Sequence, residues 1–158
     1  DDADLTTVWR TTLRPCNSPY QPWFPGITAS PKGWFWQDIP STQFTHLNPV
    51  ADDFKYHSDR AYWAFHMLNM TRELNWQFGE EMVKEEVEAM EKEWDVIVPA
   101  VRETYAKLKE TNPEAAKAYL TDFVHSQAAK TWEWADQMTL KLVDKKDKES
   151  KVAWRKTL

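Results

Sequence analysis

The chain has very little cysteine and glycine, no long apolar run and no excess of positive charge. Its single cysteine, Cys16, excludes an internal disulfide and a zinc site built from several cysteines. It does not fix the compartment, because secreted proteins can also lack disulfides. No apolar stretch approaches the ~18 residues of a membrane span. The acidic opening, Asp1 to Asp4, does not have the pattern of a signal peptide. A start at Asp1 rather than Met is what a processed product or an excised piece of a longer protein looks like. The 25 acidic residues outnumber the 20 basic ones, giving a formal charge of −5. A nucleic-acid partner asks for a basic face, so this balance argues against one. What the chain does have is tryptophan, ten residues in 158. That usage implies large aromatic surfaces buried in a core, an interface or a ligand site.

The character changes near residue 57. Seven of the nine prolines and two of the three glycines lie before it. "LTTVWRTTL", residues 5–13, is β-branched and aromatic and reads as one strand. Leu5, Thr7, Trp9, Thr11 and Leu13 fall on one face of it. A strand needs a partner, and the chain offers few: "YQPWF" and the "WFW" of 34–36. From Pro15 to Tyr56 the prolines prevent regular structure of any length. The tryptophans there indicate a packed loop.

Beyond residue 57 the pattern is helical. Ser58 is the expected N-cap of a first helix, with Asp59 favourable at its positive end. Ala61, Phe65, Leu68, Arg72 and Trp76 form one face. Trp63, Met67, Met70 and Leu74 form a second apolar face, as for a helix with neighbours on several sides. Gly79 is the expected break. A second helix follows from about Glu80 to Glu110. Its seam is Val83, Val87, Met90, Trp94, Ile97, Val101, Tyr105 and Leu108. Pro99 lies inside it and predicts a kink. Asn112 then caps a third helix with Pro113 in the first position. The seam Ala116, Leu120, Phe123, Ala128, Trp132, Ala135, Met138 and Leu142 predicts an antiparallel hairpin with the second helix. The charged run 144–151 is expected to end the ordered structure. The fold class is therefore α+β and predominantly helical, organised as residues 1–57, a helical region 58–143 and a charged tail 144–158.

Candidate chemistry is sparse. A nucleophilic cysteine needs a base that lowers its pKa, and His46, His57, His66 and His125 share no local signature with Cys16. Cys16 reads as a small packed residue. The histidines have no metal-ligand spacing. The glutamates of "EEMVKEEVEAMEKEWD" fall off the apolar stripe and form a solvated face. Asn69-Met70-Thr71 matches a glycosylation acceptor inside a helix, a common pattern. Trp94 and Trp132 belong to seams, and Trp63, Trp76 and Trp134 to helix contacts or an interface. Trp23, Trp34 and Trp36 either stack on a sugar or peptide or cover a sheet supplied by another part of a larger protein. The second use is the expected one.

The order of "VWRTTLRPCNSPYQPWFPGI", "DRAYWAFHMLNM" and the hairpin resembles the carboxy-terminal region of the PepD-like cysteine dipeptidases. The matching positions are Ser18, Pro22, Trp23, Phe24 and Gly26 in the loop. In the helices they are Asp59, Ala61, Tyr62, Trp63 and Phe65, then Ala116, Leu120, Thr121 and Phe123. The resemblance implies part of a larger αββα fold of the N-terminal-nucleophile hydrolases, acting on dipeptides without metal or organic cofactor. The nucleophile there is a cysteine exposed at the mature N-terminus. Neither Asp1 nor Cys16 matches it, so no catalytic residue is carried over. The resemblance further implies that Asn17, Ser18, Tyr20 and Trp23 border the substrate of the complete enzyme. The implied partners are an upstream catalytic region and the peptide substrate. An incomplete sheet is also expected to self-associate. The rival expectation is a stand-alone binding module, which would hold a glycan or peptide on the loop tryptophans or a protein on the hairpin.

Overall fold

A computed structural model describes residues 2–12, 18–34, 58 and 60–157, with side chains through Lys151. Cys16, Asn17, Trp36, His46, His57 and Asp59 lie outside the described residues, and so do the expectations that rest on them. The described chain is mostly helical, with three helices and a two-stranded antiparallel sheet. A 3₁₀ turn, Ala3–Leu5, precedes strand β1 (Val8–Arg10), which pairs with β2 (Gln21–Trp23). Helices α1 (Ala61–Leu74), α2 (Trp76–Thr111) and α3 (Pro113–Thr157) follow.

The expected strand over 5–13 is cut to three residues for a local reason. The Asp2 carboxylate accepts from Asp4 N at 3.2 Å and starts the 3₁₀ turn. The segment is then fastened along α2 in reverse order. Lys109 Nζ donates to Asp2 at 2.7 Å, Tyr105 Oη to Asp4 at 2.6 Å, and Arg102 to Leu5 O at 3.2 Å and Thr7 Oγ1 at 2.7 Å. The partner anticipated in "YQPWF" is the one used, in the register Val8↔Trp23, Trp9↔Pro22 and Arg10↔Gln21. Trp34 lies in a turn instead of the sheet.

Pro22 fixes the polarity of this ladder. It has no N–H, so Trp9↔Pro22 must be the non-hydrogen-bonded pair, and the ladder bonds belong to the pairs on either side. The N–H and C=O of Trp9 therefore point away from β2, to the outer edge of β1. The outer edge of β2 lacks a donor at Pro22 and is a poor template for a further strand.

The hairpin of α2 and α3 turns on one residue. Asn112 Oδ1 accepts from Ala115 N at 3.1 Å, and Asn112 N donates to Leu108 O at 2.7 Å. Lys130–Glu93 (3.1 Å) and Lys141–Glu86 (2.8 Å) then cross the two helices in antiparallel order. Val83, Val87, Val101 and Tyr105 of α2 share one buried core with Leu120, Val124, Ala128, Ala135, Met138 and Leu142 of α3. The buried members of the α2 seam are among those anticipated, whereas in α3 Val124 and Thr131 are buried and the anticipated Phe123 and Trp132 are only half-buried. α1 closes the bundle with Ala61, Ala64, Phe65 and Leu68.

Four expectations are corrected. Arg60, not Ser58, is the N-cap of α1, and it makes no side-chain cap bond. The loop supplies the acceptor instead, since Ala61 N donates to Gly33 O at 3.0 Å. The break after α1 is at Asn75, whose Nδ2 donates to Thr71 O at 2.8 Å. Gly79 lies inside α2 and is there for space: a Cβ would stand 2.9 Å from Arg72 O. The break also moves Trp76 off the buried face, leaving it 71% exposed. The second apolar face of α1 has no cover at Met67, Met70 and Leu74, all exposed. Finally, 144–151 continues α3. Asp144–Lys148 and Asp147–Lys151 pair one turn apart, with the acid first as the helix dipole favours, and Lys145 Nζ stands 4.6 Å over the Phe78 ring.

Candidate functional site

Of the residues anticipated as substrate-lining, the three that are described, Ser18, Tyr20 and Trp23, do not share one surface. Ser18 is fully buried. Its Oγ accepts from Thr12 N and its C=O from Thr11 Oγ1, both at 3.3 Å, so it ties the segment before β2 to the residues just after β1. Trp23 is buried as well, with the Arg10 guanidinium 5.3 Å from its ring centroid. It borders a cavity of about 280 Å³ together with Val8, Arg10 and Phe24. Tyr20 is exposed and lines a different cavity, of about 450 Å³. Strand alternation separates the two, because Trp9 and Pro22 point to one face of the sheet and Val8, Arg10 and Trp23 to the other.

The larger cavity is walled by Trp9, Tyr20 and Trp94 and rimmed by Glu91 and Asp95. α2 positions all of it. Tyr20 N donates to Glu91 Oε1 at 2.9 Å, and Trp94 Nε1 donates to Tyr20 O at 2.9 Å. Both backbone groups of Tyr20 are thus held by one turn of α2. Trp94 belongs to the buried seam. Glu91 and Asp95, four residues apart and so on the same side of that seam, reach the cavity rim. Pro99 lies one turn beyond and has no N–H, so the carbonyl of Asp95 lacks its helical donor. Three aromatic faces beside two carboxylates suit recognition of a cation more than bond cleavage.

Trp9, Glu91, Trp94 and Asp95 were not anticipated as a group. Each was legible singly, as a strand residue, a solvated acid or a seam tryptophan. No local pattern joins residue 9 to residues 91–95.

The tryptophans of the loop are mostly core. Trp34 packs edge-on against Phe65 at 5.9 Å, and Phe24 lies 6.0 Å from Phe123. Gly26 allows this approach, since a Cβ there would stand 2.7 Å from Asp4 Cβ and 3.0 Å from Leu120 Cδ1. Thr28 N and Oγ1 reach Thr121 Oγ1 at 2.9 and 3.1 Å. His125 Nε2 is 3.1 Å from Ala29 O, and His66 stacks on Tyr62 at 5.6 Å. Burial pushes the Tyr62 hydroxyl above its ordinary pKa. Asn69 Nδ2 donates to Glu73 within α1. Gln21 is buried, and neither end of its amide has a hydrogen-bond partner.

Among the described residues no cluster of His, Cys, Asp and Glu could hold a metal ion, and no helix is long and apolar enough to cross a membrane. No protein-family model matches the chain, and no curated protein or solved structure matches it either.

Proposed function

We propose that this chain is the carboxy-terminal portion of a dipeptidase-type peptide hydrolase of the PepD-like cysteine class. It completes the sheet and one helical layer of a larger αββα enzyme and carries no nucleophile of its own. In that enzyme the thiolate of an upstream N-terminal cysteine attacks the peptide carbonyl, its own α-amine serves as base, and water releases the acyl group.

One observation carries the reading: the sheet is finished on one edge only. Pro22 leaves the outer edge of β2 without a donor, while β1 keeps the backbone groups of Trp9 pointing outward. Val8 and Trp9 are 40% and 47% exposed. Two strands of three residues are marginal alone, and here they are held by the helices as a ledge for further strands. Ser18, Pro22 and Trp23, loop residues of the resemblance, belong to this ledge or tie it to the end of β1. The binding-module alternative loses two of its loop aromatics, because Trp23 and Trp34 are buried.

The test compares the 158-residue chain with the polypeptide encoded by the full reading frame on a panel of dipeptides. The chain alone leaves them intact, and the full polypeptide hydrolyses them with an N-terminal cysteine as nucleophile. Hydrolysis by the chain alone that Cys16→Ala abolishes overturns the reading, as does a full polypeptide with no dipeptide hydrolysis.

A further inference from the structure

We infer that the outer edge of β1 takes an extended strand with a lysine or arginine opposite Trp9, and that this basic side chain enters the cavity of Trp9, Tyr20, Glu91, Trp94 and Asp95. The inference deepens the reading above by naming the chemistry of the strand that the catalytic region contributes.

The backbone geometry comes first. Trp9 directs both its N–H and its C=O outward. In an antiparallel addition the residue opposite it exchanges two hydrogen bonds with Trp9 at a Cα separation of about 5.5 Å. Directly opposed residues share a face of the sheet. The incoming side chain therefore stands beside the Trp9 ring, on the face that carries the cavity.

The lining decides what that side chain is. The cavity of about 450 Å³ has three aromatic walls and two carboxylates, with no cationic residue among the described residues of its lining. Glu91 uses Oε1 to hold Tyr20 N, and the Asp95 carboxylate has no partner among the described residues. An apolar side chain would leave the Asp95 carboxylate without a partner, and an acidic one would be repelled. A lysine or arginine lays its stem on the rings and brings its charge to the rim.

A second copy of this chain is a poor occupant. Along the chain, the residues that would share Trp9's outward polarity if β1 were extended are those two positions away, Thr7 and Thr11, which flank it. Arg10 points its backbone groups at β2. An antiparallel pairing of two β1 strands thus sets Trp or Thr opposite Trp9, never the arginine.

The probe is an acetylated and amidated peptide, Thr-Val-Thr-Lys-Thr-Val-Thr, titrated into the full 158-residue chain and followed by the indole resonance of Trp9. Three comparison peptides replace the lysine with norleucine, replace it with glutamate, or N-methylate the lysine amide and alternate amides on the same edge. The lysine peptide binds about tenfold or more tighter than each of the three. The double variant Glu91→Gln, Asp95→Asn keeps an acceptor for Tyr20 N and abolishes the preference for lysine over norleucine, with an unchanged circular dichroism spectrum. Equal affinity for lysine, norleucine and glutamate overturns the inference. So does absence of binding at about 1 mM peptide, and so does self-association of the chain that blocks the edge. Failure of the dipeptidase reading shows instead as a full polypeptide without hydrolysis and leaves these peptide affinities unaffected.

Discussion

The hydroxyl of Tyr105 donates to the carboxylate of Asp4 at 2.6 Å, from a side chain that is fully buried. This bond joins the first turn of the chain to the C-terminal part of α2, and Gly26 N reaches Asp4 O at 3.1 Å. Asp4 is thus the meeting point of the N-terminal segment, the loop and the hairpin. Tyr105→Phe keeps the ring and removes the bond to a charged acceptor. The expected loss is about 1–2 kcal/mol, read as a lower midpoint of chemical denaturation with an unchanged slope. Tyr105→Ala also opens a cavity and loses about 3–5 kcal/mol.

The same clasp sets a pH dependence at the extremes. The hydrogen bond from Lys109 holds Asp2 below its ordinary pKa, and the bond to Asp2 pushes Lys109 up to about 12. Burial, then the bond to Asp4, raises Tyr105. For Asp2 the folded value is lowered, so its contribution is present above 3.8 and is lost as the pH falls through the folded value. For Lys109 the folded value is raised, so its contribution is complete below 10.5 and is lost as the pH rises towards about 12. Tyr105 behaves likewise above 10.0. The difference in melting temperature between the wild type and Lys109→Met is therefore flat through neutral pH and shrinks at both ends. A step near the pKa of histidine would contradict this assignment.

Gly26→Ala places a Cβ against Asp4 and Leu120 and is expected to cost about 1–3 kcal/mol. Because Asp4 must shift, the Tyr105 bond is already weakened in this variant. The double variant with Tyr105→Phe is therefore less destabilised than the sum of the two single variants. Strict additivity would mean that the two residues do not share Asp4 as a pivot.

Gly79→Ala tests a change of sign. In an exposed helix interior, replacing Gly with Ala stabilises by about 1 kcal/mol. Here the new Cβ meets Arg72 O at 2.9 Å and Arg72 Cα at 3.2 Å, which are backbone atoms. The variant is expected to lose about 1–3 kcal/mol. The loss appears as a lower melting temperature and faster hydrogen exchange around Asn75.

Asn112→Ala removes the side-chain acceptor for Ala115 N at the hairpin corner. The cost is about 1 kcal/mol. Pro113 still marks the start of α3, so the helical signal at low temperature is unchanged while the denaturation midpoint falls.

The helical seams were readable because periodicity states which residues are apolar and on which side they lie. The seam from Val83 to Leu108, most of the seam from Ala116 to Leu142 and the Asn112-Pro113 restart needed nothing beyond local spacing, whereas spacing assigned Phe123 and Trp132 where Val124 and Thr131 are buried. The same logic misplaced the first break. Gly79 looks like a helix breaker when its neighbours are unknown, but it is the residue that lets α2 pass the end of α1. The run 144–151 looked like a tail because charge alone does not register the Asp144–Lys148 and Asp147–Lys151 pairs or the contact of Lys145 with Phe78.

The candidate site was the least legible part. Tyr20 was singled out through the loop resemblance, whereas its companions come from a strand and from a helix some seventy residues further on. Ser18 and Trp23 belong to the same short motif, yet strand alternation and burial turn them elsewhere.

By itself the sequence determined three helices, most of their apolar stripes and the hairpin corner, and it narrowed the partner of the first strand to two candidates. Each follows from local backbone chemistry and repeat spacing. Tertiary structure alone decided that Trp23 and Trp34 are core, that Asp4 is a pivot, that Met67, Met70 and Leu74 stay uncovered, and that Trp9 faces Glu91 and Asp95. The physical reason is that a stripe records which side chains avoid water, while the surface that covers them depends on how distant segments cross.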